Sequence, residues 1–472
     1  MDHNDPSSDQ NASIIDHLPD HMSDLEAGLE DAVVAALDTD NITLVKSLLA
    51  PAHYADVADL LERLNTENRC RLLDILGPNF EPDTLTELDD AVRDEVIEYL
   101  GVEAAVAAVQ ELESDDVLQV MEELDFVDQQ QLLNAMPASE RSVIEQGLSY
   151  PEDSAGRLMQ REVVYVPTFW TVGETIDYIR KCADSDDIIL PDHFHDIFIT
   201  DPTHKPVGIL ALDQLLRTRR PVKIGDIMED DITSIPVNTD QEDVALLFRR
   251  RDLTSAPVVD MTGRLLGTIT IDDVVDVIDE EHEQDIMRLG GVQEGDLYDA
   301  VLDTTRARFS WLLVNLATAI LASVVIGLFD ATLEQVIALA ILMPIVASMG
   351  GNAGTQTMTV TVRALAMKEL TTTNAMRVVG KEILVGLING VLFAVIAAII
   401  VWLWFDSQTL GLVIGLAMIV NMIVAGFSGT MIPMLLEQLG FDPAVVSGVF
   451  LTTITDVVGF FVFLGLAATI MI

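Results

Sequence analysis

The stretch PAVVSGVFLTTITDVVGFFVFLGLAATIMI, residues 443–472, contains one charged side chain, Asp456. It is long enough to span a hydrocarbon core, which needs about 20 apolar residues. An ionised carboxylate at the centre of such a helix costs roughly 2.5–3.5 kcal/mol, and these residues usually face a bundle interior or an aqueous path. Thr452 and Gly448 lie four and eight residues earlier, on Asp456's side of the helix. This small, polar stripe suits a hydrated cation; the alternative is a neutral or hydrogen-bonded Asp at a helix–helix contact.

Four other charge-free stretches are also long enough to cross a membrane. The second apolar stretch in chain order, which follows Glu334, contains Pro344 and the run GGNAGTQ, Gly350–Gln356. This composition predicts broken backbone that lines water, with freed carbonyls and Asn352 facing a cation; the alternative is a packing kink. The four stretches are Phe309–Phe329, the segment after Glu334, Ile383–Phe405, and the segment between Asp406 and Glu437.

The basic residues flanking these stretches predict their orientation. Arg306 and Arg308 precede the first stretch, and four further basic residues lie between the second and the third. The positive-inside rule therefore places the N-terminus in the cytoplasm. Five spans do not easily close a pore, so we expect a dimer with the pore on its axis.

The first 308 residues hold 22 basic and 68 acidic side chains, a net charge of −46. This charge argues against nucleic-acid binding, which requires a basic surface. It fits a sink for divalent cations, since crowded carboxylates repel one another until a hard cation neutralises them. It also fits a surface adapted for solubility or for a saline habitat. Residues 1–28 are polar and acidic, with no cleavable signal peptide, and are predicted to be disordered.

The rest of the acidic part divides into a helical and a mixed region. Apolar residues at helical spacing predict a solenoid of short helices over residues 29–150. A duplication follows, in which Gly208 and Asp213 match Gly267 and Asp272. The two βαββα units resemble a pair of cystathionine-β-synthase (CBS) domains, residues 151–222 and 223–278. A charged connecting helix is expected over 279–308, ahead of a transmembrane domain over 309–472.

Four segments together resemble the MgtE family of magnesium channels and transporters. They are YPEDSAGRLM at Tyr150–Met159, the APVVD and GTITIDD runs of the second CBS unit, GGNAGTQ, and the segment from Asp442 to Asp456. The resemblance implies a multidomain fold that combines α, α/β and α-helical membrane parts: a helical N domain, a tandem CBS pair, a long connecting "plug" helix and five transmembrane helices. It also implies a homodimer in the bacterial inner (plasma) membrane, in contact with lipid.

Functional residues carry over from this resemblance by position. Asp456 would be the pore aspartate, with Gly448, Thr452 and Asn352 lining the pore. Thr270 and Asp273 resemble the ribose-contacting element of CBS domains that bind ATP or another adenine nucleotide. Mg²⁺ bound to a set of cytosolic carboxylates would close the pore, and this set is Glu242, Asp252, Asp273, Asp276, Glu281 and Asp285.

Two positions depart from the family pattern. Gln284 stands where the family usually has Glu, which predicts a gating ligand that is weaker or displaced to Glu283. Gly448-Val449 stands where a residue followed by Pro is usual. The sequence thus predicts a Mg²⁺-selective channel that cytosolic Mg²⁺ closes, with other divalent cations as further candidate substrates. The rival function is an ion-coupled secondary transporter. An enzyme is not expected, because no phosphate loop, nucleophile motif or zinc signature occurs.

Overall fold

The structure is a computed structural model that describes residues 21–183, 190–191, 193–292, 301–371 and 373–471. The chain divides into two compact units, Met1–Asp279 and Glu280–Ile472. The first unit contains a helical domain and two small β-sheets, and the second contains the long apolar helices. The multidomain fold class predicted from the sequence is confirmed.

The N domain is a series of short helices around one apolar core. Leucines at helical spacing, such as Leu60, Leu61, Leu72 and Leu73, are buried in this core. Polar N-caps separate the helices; the Asn65 side chain, for example, accepts a hydrogen bond from the Asn68 N–H. The helices are α1 His21–Asp38, α2 Ile42–Leu49, α3 Tyr54–Arg63, α4 Thr66–Leu76, α5 Asp90–Leu100, α6 Val102–Val109, α7 Ser114–Glu123, α8 Phe126–Ala135 and α9 Ala138–Leu148.

Helix α1 begins at His21, inside the segment 1–28 that is predicted to be a disordered tail. The helix is anchored from its C-terminal half, where Val33, Ala36 and Leu37 are buried in the N-domain core. Helix formation propagates from an anchored turn at little cost, which explains the early start. Residues 1–20 lie outside the described residues.

Each CBS unit contains a three-stranded sheet of the same topology. In both, the first strand pairs parallel with the second, and the second pairs antiparallel with the third. The first unit contains β1 Tyr165–Pro167, α11 Val172–Ala183, β2 Asp196–Thr200, β3 Pro206–Ala211 and α12 Leu212–Arg217, after the short helix α10 Ala155–Leu158. The second contains β4 Ile235–Pro236, α13 Gln241–Arg251, β5 Ser255–Val259, β6 Leu265–Thr270 and α14 Ile271–Gly290.

The two repeats exchange short segments across the boundary predicted at residue 222. Gln160 lies in the first predicted unit, yet its N–H donates to the Thr268 carbonyl of the second sheet at 2.8 Å. Conversely, the Glu229 N–H donates to the Ile209 carbonyl of the first sheet at 2.9 Å. The duplicated glycines admit these segments, because a Cβ at Gly267 would lie 2.5 Å from the Gln160 carbonyl oxygen.

The connecting helix predicted over residues 279–308 overlaps two helices of the structure. Helix α14 ends at Gly290, and Gly291 follows with φ +72°. A side chain at Gly291 would overlap Trp311, so only glycine permits this turn. Residues 293–300 lie outside the described residues, and residues 301–308 already belong to the first membrane helix, α15.

Among the described residues, five helices are long and apolar enough to cross a membrane, as predicted. Helix α19 packs against three of the others, α17, α18 and α20. Glycines permit these close contacts; a Cβ at Gly426 would lie 2.6 Å from the Glu382 carbonyl oxygen of α18. The helices of this unit are α15 Val301–Gly327, the short α16 Asp330–Gln335, α17 Ala338–Ala366, α18 Ala375–Phe405, α19 Gln408–Gln438 and α20 Pro443–Ile470.

The broken backbone predicted in the second span is wrong. Helix α17 continues for 29 residues, with Pro344 inside it. Proline removes only one backbone donor, and at Pro344 this loss occurs in the second turn of the helix. The glycines serve packing: a Cβ at Gly350 would overlap the Asn421 side chain, and one at Gly354 would lie 2.8 Å from Leu451 Cδ1. The packing alternative therefore accounts for this segment.

We expect Gly386→Val to destabilise the bundle by about 1–3 kcal/mol, the usual cost of overpacking. A Cβ at Gly386 would lie 2.5 Å from the Met422 backbone oxygen, which cannot move aside as a flexible side chain could. The matched control is Gly380→Val on the same helix, where nothing lies within 4 Å of the Cβ position. Thermal unfolding of the detergent-solubilised proteins measures the difference, and equal midpoints for the two variants would contradict this account of the packing.

Candidate ion path and acidic cluster

Asp456 lies in the middle of α20 and is half-exposed. Among the described residues, its carboxylate has neither a hydrogen-bond donor nor an ion-pair partner. The hydrogen-bonded alternative therefore finds no partner among the residues that the structure describes. A carboxylate at this position calls for a partner such as a cation, water or a polar group of a second copy.

The two candidates on the same face of α20 lie as the helical spacing predicts. Thr452 is exposed, and its hydroxyl donates to the Gly448 carbonyl at 2.9 Å. Nothing lies within 4 Å of the Cβ position of Gly448. Gly448, Thr452 and Asp456 thus form an open stripe along α20. Its free polar groups are the carboxylate and the threonine oxygen, which can still accept a hydrogen bond.

Asn352 belongs to a polar face of α17 that the sequence analysis missed. Every member of this face is exposed, and the Asn352 side-chain amide lies 3.4 Å from the Ser348 hydroxyl. The signal was available in the sequence as polar residues three or four positions apart in an apolar helix. The face consists of Ser348, Asn352, Gln356, Thr359 and Arg363.

Two contacts bring Asn352 and Asp456 to the same depth in the bundle. Gly354 of α17 packs against Leu451 of α20, and Gly350 and Gly459 both pack against the Asn421 side chain. Asn352 lies between the two glycines of α17, and Asp456 lies between Leu451 and Gly459 of α20. The polar centres of these two helices therefore lie in facing segments.

In the first unit, Asp273 and Asp276 of α14 lie near carboxylates of the N domain. Burial, and then the charge of the nearby Asp273, raise the pKa of Asp116 to about 7. Burial also raises the pKa of Asp273 to about 6, with Asp272 and Asp276 adding to the effect. Glu87 has a raised pKa for the same reasons, burial and then the charge of Asp276. Neighbouring carboxylates thus repel one another, which favours proton or cation uptake.

Asp115 is the most buried acid of this group. Burial raises its pKa well above the usual value, and the charges of Asp273 and Asp116 add to the effect. Its Oδ1 is buried and has no hydrogen-bond partner among the described residues. Asp115, Asp116 and Glu87 were not identified from the sequence, where an acidic run such as Glu113–Asp116 resembles any solvated turn.

A preformed metal cage is not present in the described part of the chain, where no group of three or more His, Cys, Asp or Glu side chains could hold an ion. The residues nevertheless fit a hydrated Mg²⁺, which keeps several waters and needs only one or two carboxylates. The orphaned Asp115 oxygen and the neighbouring Asp116 and Asp273 supply such ligands.

The other predicted gating residues are more dispersed. Glu242 lies in the first turn of α13, and Asp252 caps the other end with left-handed backbone, φ 52°. The structure therefore separates these two by the length of one helix. Glu281 lies on α14 and is half-buried.

In the second unit, the end of α14 is bonded to the start of α20. Arg288 Nη1 lies 3.0 Å from Asp442 Oδ2, and Asp442 Oδ1 caps α20 by accepting from the Ala444 N–H at 2.7 Å. Burial and then the charge of Asp442 raise the pKa of Asp285. Gln284 Oε1 accepts from Arg288 Nη2 at 2.6 Å, so the departure from the family pattern orients this arginine.

The candidate nucleotide residues form a helix cap. The Thr270 hydroxyl donates to Asp273 Oδ2 at 2.5 Å, and the Thr270 N–H donates to the same oxygen at 3.3 Å. A Thr followed three residues later by an acid begins many helices in this way. The cap by itself explains the Thr270-x-x-Asp273 motif locally, and it leaves Asp273 Oδ1 free for a ligand.

Family models match three parts of the chain. A divalent cation transporter model matches residues 343–466, the MgtE intracellular N domain model matches 52–153, and the CBS domain model matches 224–280. The first match covers the polar face of α17 and Asp456. The second covers Asp115 and Asp116, and the third covers Asp273.

Two magnesium transporters are similar to this chain over most of its length. The magnesium transporter MgtE of Thermus thermophilus is 31% identical over 453 residues, 95% of this chain and 99% of the relative. That of Enterococcus faecalis is 33% identical over 334 residues, 71% of this chain and 73% of the relative. The solved cytosolic domain of the Mg²⁺ channel MgtE, in complex with ATP, is 28% identical with a TM-score of 0.48, covering 52% of this chain and 99% of that one. The chain is therefore a membrane protein that belongs to the MgtE family of magnesium transporters.

Proposed function

We propose that this protein is a Mg²⁺-selective channel that cytosolic Mg²⁺ closes. The observation that carries the proposal is Asp456, a half-exposed carboxylate in the middle of α20 with an open polar stripe beside it. Within the described residues this carboxylate has no hydrogen-bond or ion-pair partner. Mg²⁺ gives up its waters reluctantly and is held through few carboxylates, so one Asp456 from each of two subunits suits the hydrated ion.

A homodimer accounts for the exposed polar face of α17. Ser348, Asn352 and Gln356 cannot face lipid without leaving polar groups unsatisfied in hydrocarbon. A second copy encloses these faces around water, with the stripe of α20 opposite them. The N-terminal unit lies in the cytoplasm of a bacterial cell, as the basic residues flanking the spans indicate.

Gating follows from the crowded carboxylates. At low Mg²⁺ the N-domain acids Asp115 and Asp116 repel Asp273, and the domains separate. At high Mg²⁺ the ion offsets this repulsion and holds α14 against the N domain. Helix α14 also carries Asp285, which lies near Asp442, the N-cap of α20. A displacement of α14 is therefore transmitted to α20, the pore helix. Binding that favours the closed arrangement supplies the shift.

Replacing Asp456 with Asn should abolish Mg²⁺ uptake, since the amide keeps the shape of the side chain and removes the charge that holds the hydrated cation. Uptake into proteoliposomes measures this, and size-exclusion chromatography verifies that the variant still assembles. The control is Glu437→Gln, an exposed acid of the same unit. Normal uptake by assembled Asp456→Asn protein would exclude Asp456 from the ion path.

Without divalent ions, the stability of the full-length protein should fall as pH rises through the window from about 3.8 to about 7. Over this window Asp116 stays protonated in the folded state and ionises in the unfolded state. We expect the thermal unfolding midpoint to fall between pH 5 and pH 8 in chelator. Saturating Mg²⁺ should remove most of the fall.

Asp116→Asn should weaken the same pH dependence, whereas Glu67→Gln, an exposed acid of the N domain, should not. An identical pH profile in Asp116→Asn and in the unmodified protein would show that this carboxylate has no part in the response.

Changing Asp273, Asp276 and Asp285 together to Asn should give a protein whose uptake persists at high cytosolic Mg²⁺. The substitution removes ligands from α14 in both units and leaves Asp456 intact. Uptake at low and high internal Mg²⁺ in proteoliposomes is the measurement. The control, Glu67, Glu98 and Glu103 to Gln, removes the same charge from exposed N-domain positions. Normal closure in the α14 variant would place the gate elsewhere.

The CBS pair should bind ATP or another adenine nucleotide through Asp273, whose Oδ1 remains free beside Thr270. Calorimetry on the full-length protein should find weaker ATP binding in Asp273→Asn. Gln214→Ala, at the matching position of the first repeat, is the control. Unchanged ATP affinity in Asp273→Asn would show that Asp273 does not bind the nucleotide. If the unmodified protein gave no heat of ATP binding, metal sensing alone would be left as the role of the CBS pair.

A further inference from the structure

Asn421 is a polar residue that neither the predicted ion path nor the predicted gate uses. It lies near the middle of α19 and is fully buried, with 0% exposure. Its Nδ2 donates to the Val346 carbonyl of α17 at 2.9 Å. Its Oδ1 is buried and has no hydrogen-bond partner within the described residues. A buried amide that stays half-satisfied in a membrane bundle is costly, so packing alone does not explain its presence.

Glycines on two neighbouring helices make room for this amide. A Cβ at Gly350 of α17 would overlap Asn421 Nδ2, and one at Gly459 of α20 would lie 2.9 Å from the same atom. Asn421 is therefore the point at which α17, α19 and α20 meet. One asparagine and two glycines, each on a different helix, together form this contact.

Two buried threonines of the bundle behave differently. The Thr430 hydroxyl, also 0% exposed and also on α19, donates to the Gly426 carbonyl of its own helix at 3.0 Å. Thr361 of α17 donates within its helix in the same way, to Thr357 at 2.8 Å. Such hydroxyls satisfy themselves locally and fix no distance between helices. The Asn421 amide fixes the distance from α19 to α17, and its contact with Gly459 adds α20.

The contact lies beside the proposed ion path. Gly459 is three residues after Asp456 on α20, and Gly350 is two residues before Asn352 on α17. On α17 the offset of two residues places Asn352 on the side of the helix opposite Gly350. Asn421 thus contacts α17 on its buried side, while Asn352 lies on the exposed polar face of the same helix.

We propose that Asn421 is a positioning residue that sets the spacing between Asn352 and Asp456 and so determines which hydrated divalent cation passes. The proposal rests on the proposed function, in which these two residues line the path. Mg²⁺ keeps a strict octahedral water shell, so a path of fixed width suits it. Co²⁺ and Ni²⁺ bind nitrogen and oxygen ligands more strongly, and a path of altered width discriminates against them less well.

The test measures uptake of Mg²⁺ and of Co²⁺ by full-length Asn421→Leu in proteoliposomes, with initial rates over a range of concentrations. We expect the Mg²⁺-to-Co²⁺ ratio of Vmax/KM to fall by about threefold or more, the scale of one interhelical hydrogen bond in a membrane. Closure by internal Mg²⁺ should be unchanged. Thr430→Val, equally buried on the same helix, should keep the original ratio.

Two further variants keep the test decisive if Asn421→Leu fails to fold. Asn421→Asp keeps the shape of the side chain and replaces the Nδ2 amide donor with a carboxyl oxygen. Gly459→Ala leaves the amide chemically unchanged and displaces it, because the added methyl group occupies its space. Each should lower the ratio. An unchanged ratio in whichever of these variants assemble would overturn the inference.

Failure of the inference and failure of the proposed function give different results. Unchanged selectivity in the Asn421 variants, alongside loss of uptake in Asp456→Asn, would overturn only the inference. Full uptake in Asp456→Asn would overturn the ion path itself, and the positioning role with it.

Discussion

The membrane unit depends on the cost of one carboxylate placed in the middle of an apolar helix. Asp456 has no partner among the described residues, and an unpartnered charge at that depth costs roughly 2.5–3.5 kcal/mol on insertion scales. A structure that retains such a residue must supply water, a cation or another polar surface. The open stripe of α20 and the polar face of α17 supply that surface, and both are exposed in a single copy. The same constraint is the physical reason for proposing a homodimer.

The N-terminal unit uses charge in the opposite way. There the carboxylates are crowded, and Asp115, Asp116 and Asp273 raise one another's cost of ionisation. Burial is the larger cause, so these acids are held where water cannot screen them well. Protons or divalent cations relieve the repulsion, which makes the packing of α14 on the N domain sensitive to the ionic conditions. Helix α14 continues from this cluster to Arg288 and its ion pair with Asp442.

Local periodicity predicted much of this architecture. The five spans, the helical N domain, the duplicated sheets and the stripe of Gly448, Thr452 and Asp456 all follow from spacings of two or about four residues. Long-range contacts could not be predicted in this way. Gly350 indicated a broken helix, and only the contact with Asn421 shows that it serves packing. The acids near Asp273 lie in the first turn of α7, about 160 residues earlier in the chain. The exchange of segments between the CBS units is likewise a tertiary feature that a repeat pattern cannot show.

The central claim is that Asp456 lines a pore rather than the binding site of a coupled carrier. The most direct measurement is the ionic current through purified protein in a planar bilayer, with Mg²⁺ as the permeant cation and no proton or sodium gradient. The account predicts a current that reverses at the Mg²⁺ equilibrium potential and decreases as Mg²⁺ is raised on the side of the N-terminal unit. Mg²⁺ movement that requires a proton or sodium gradient, with no current in its absence, would contradict it.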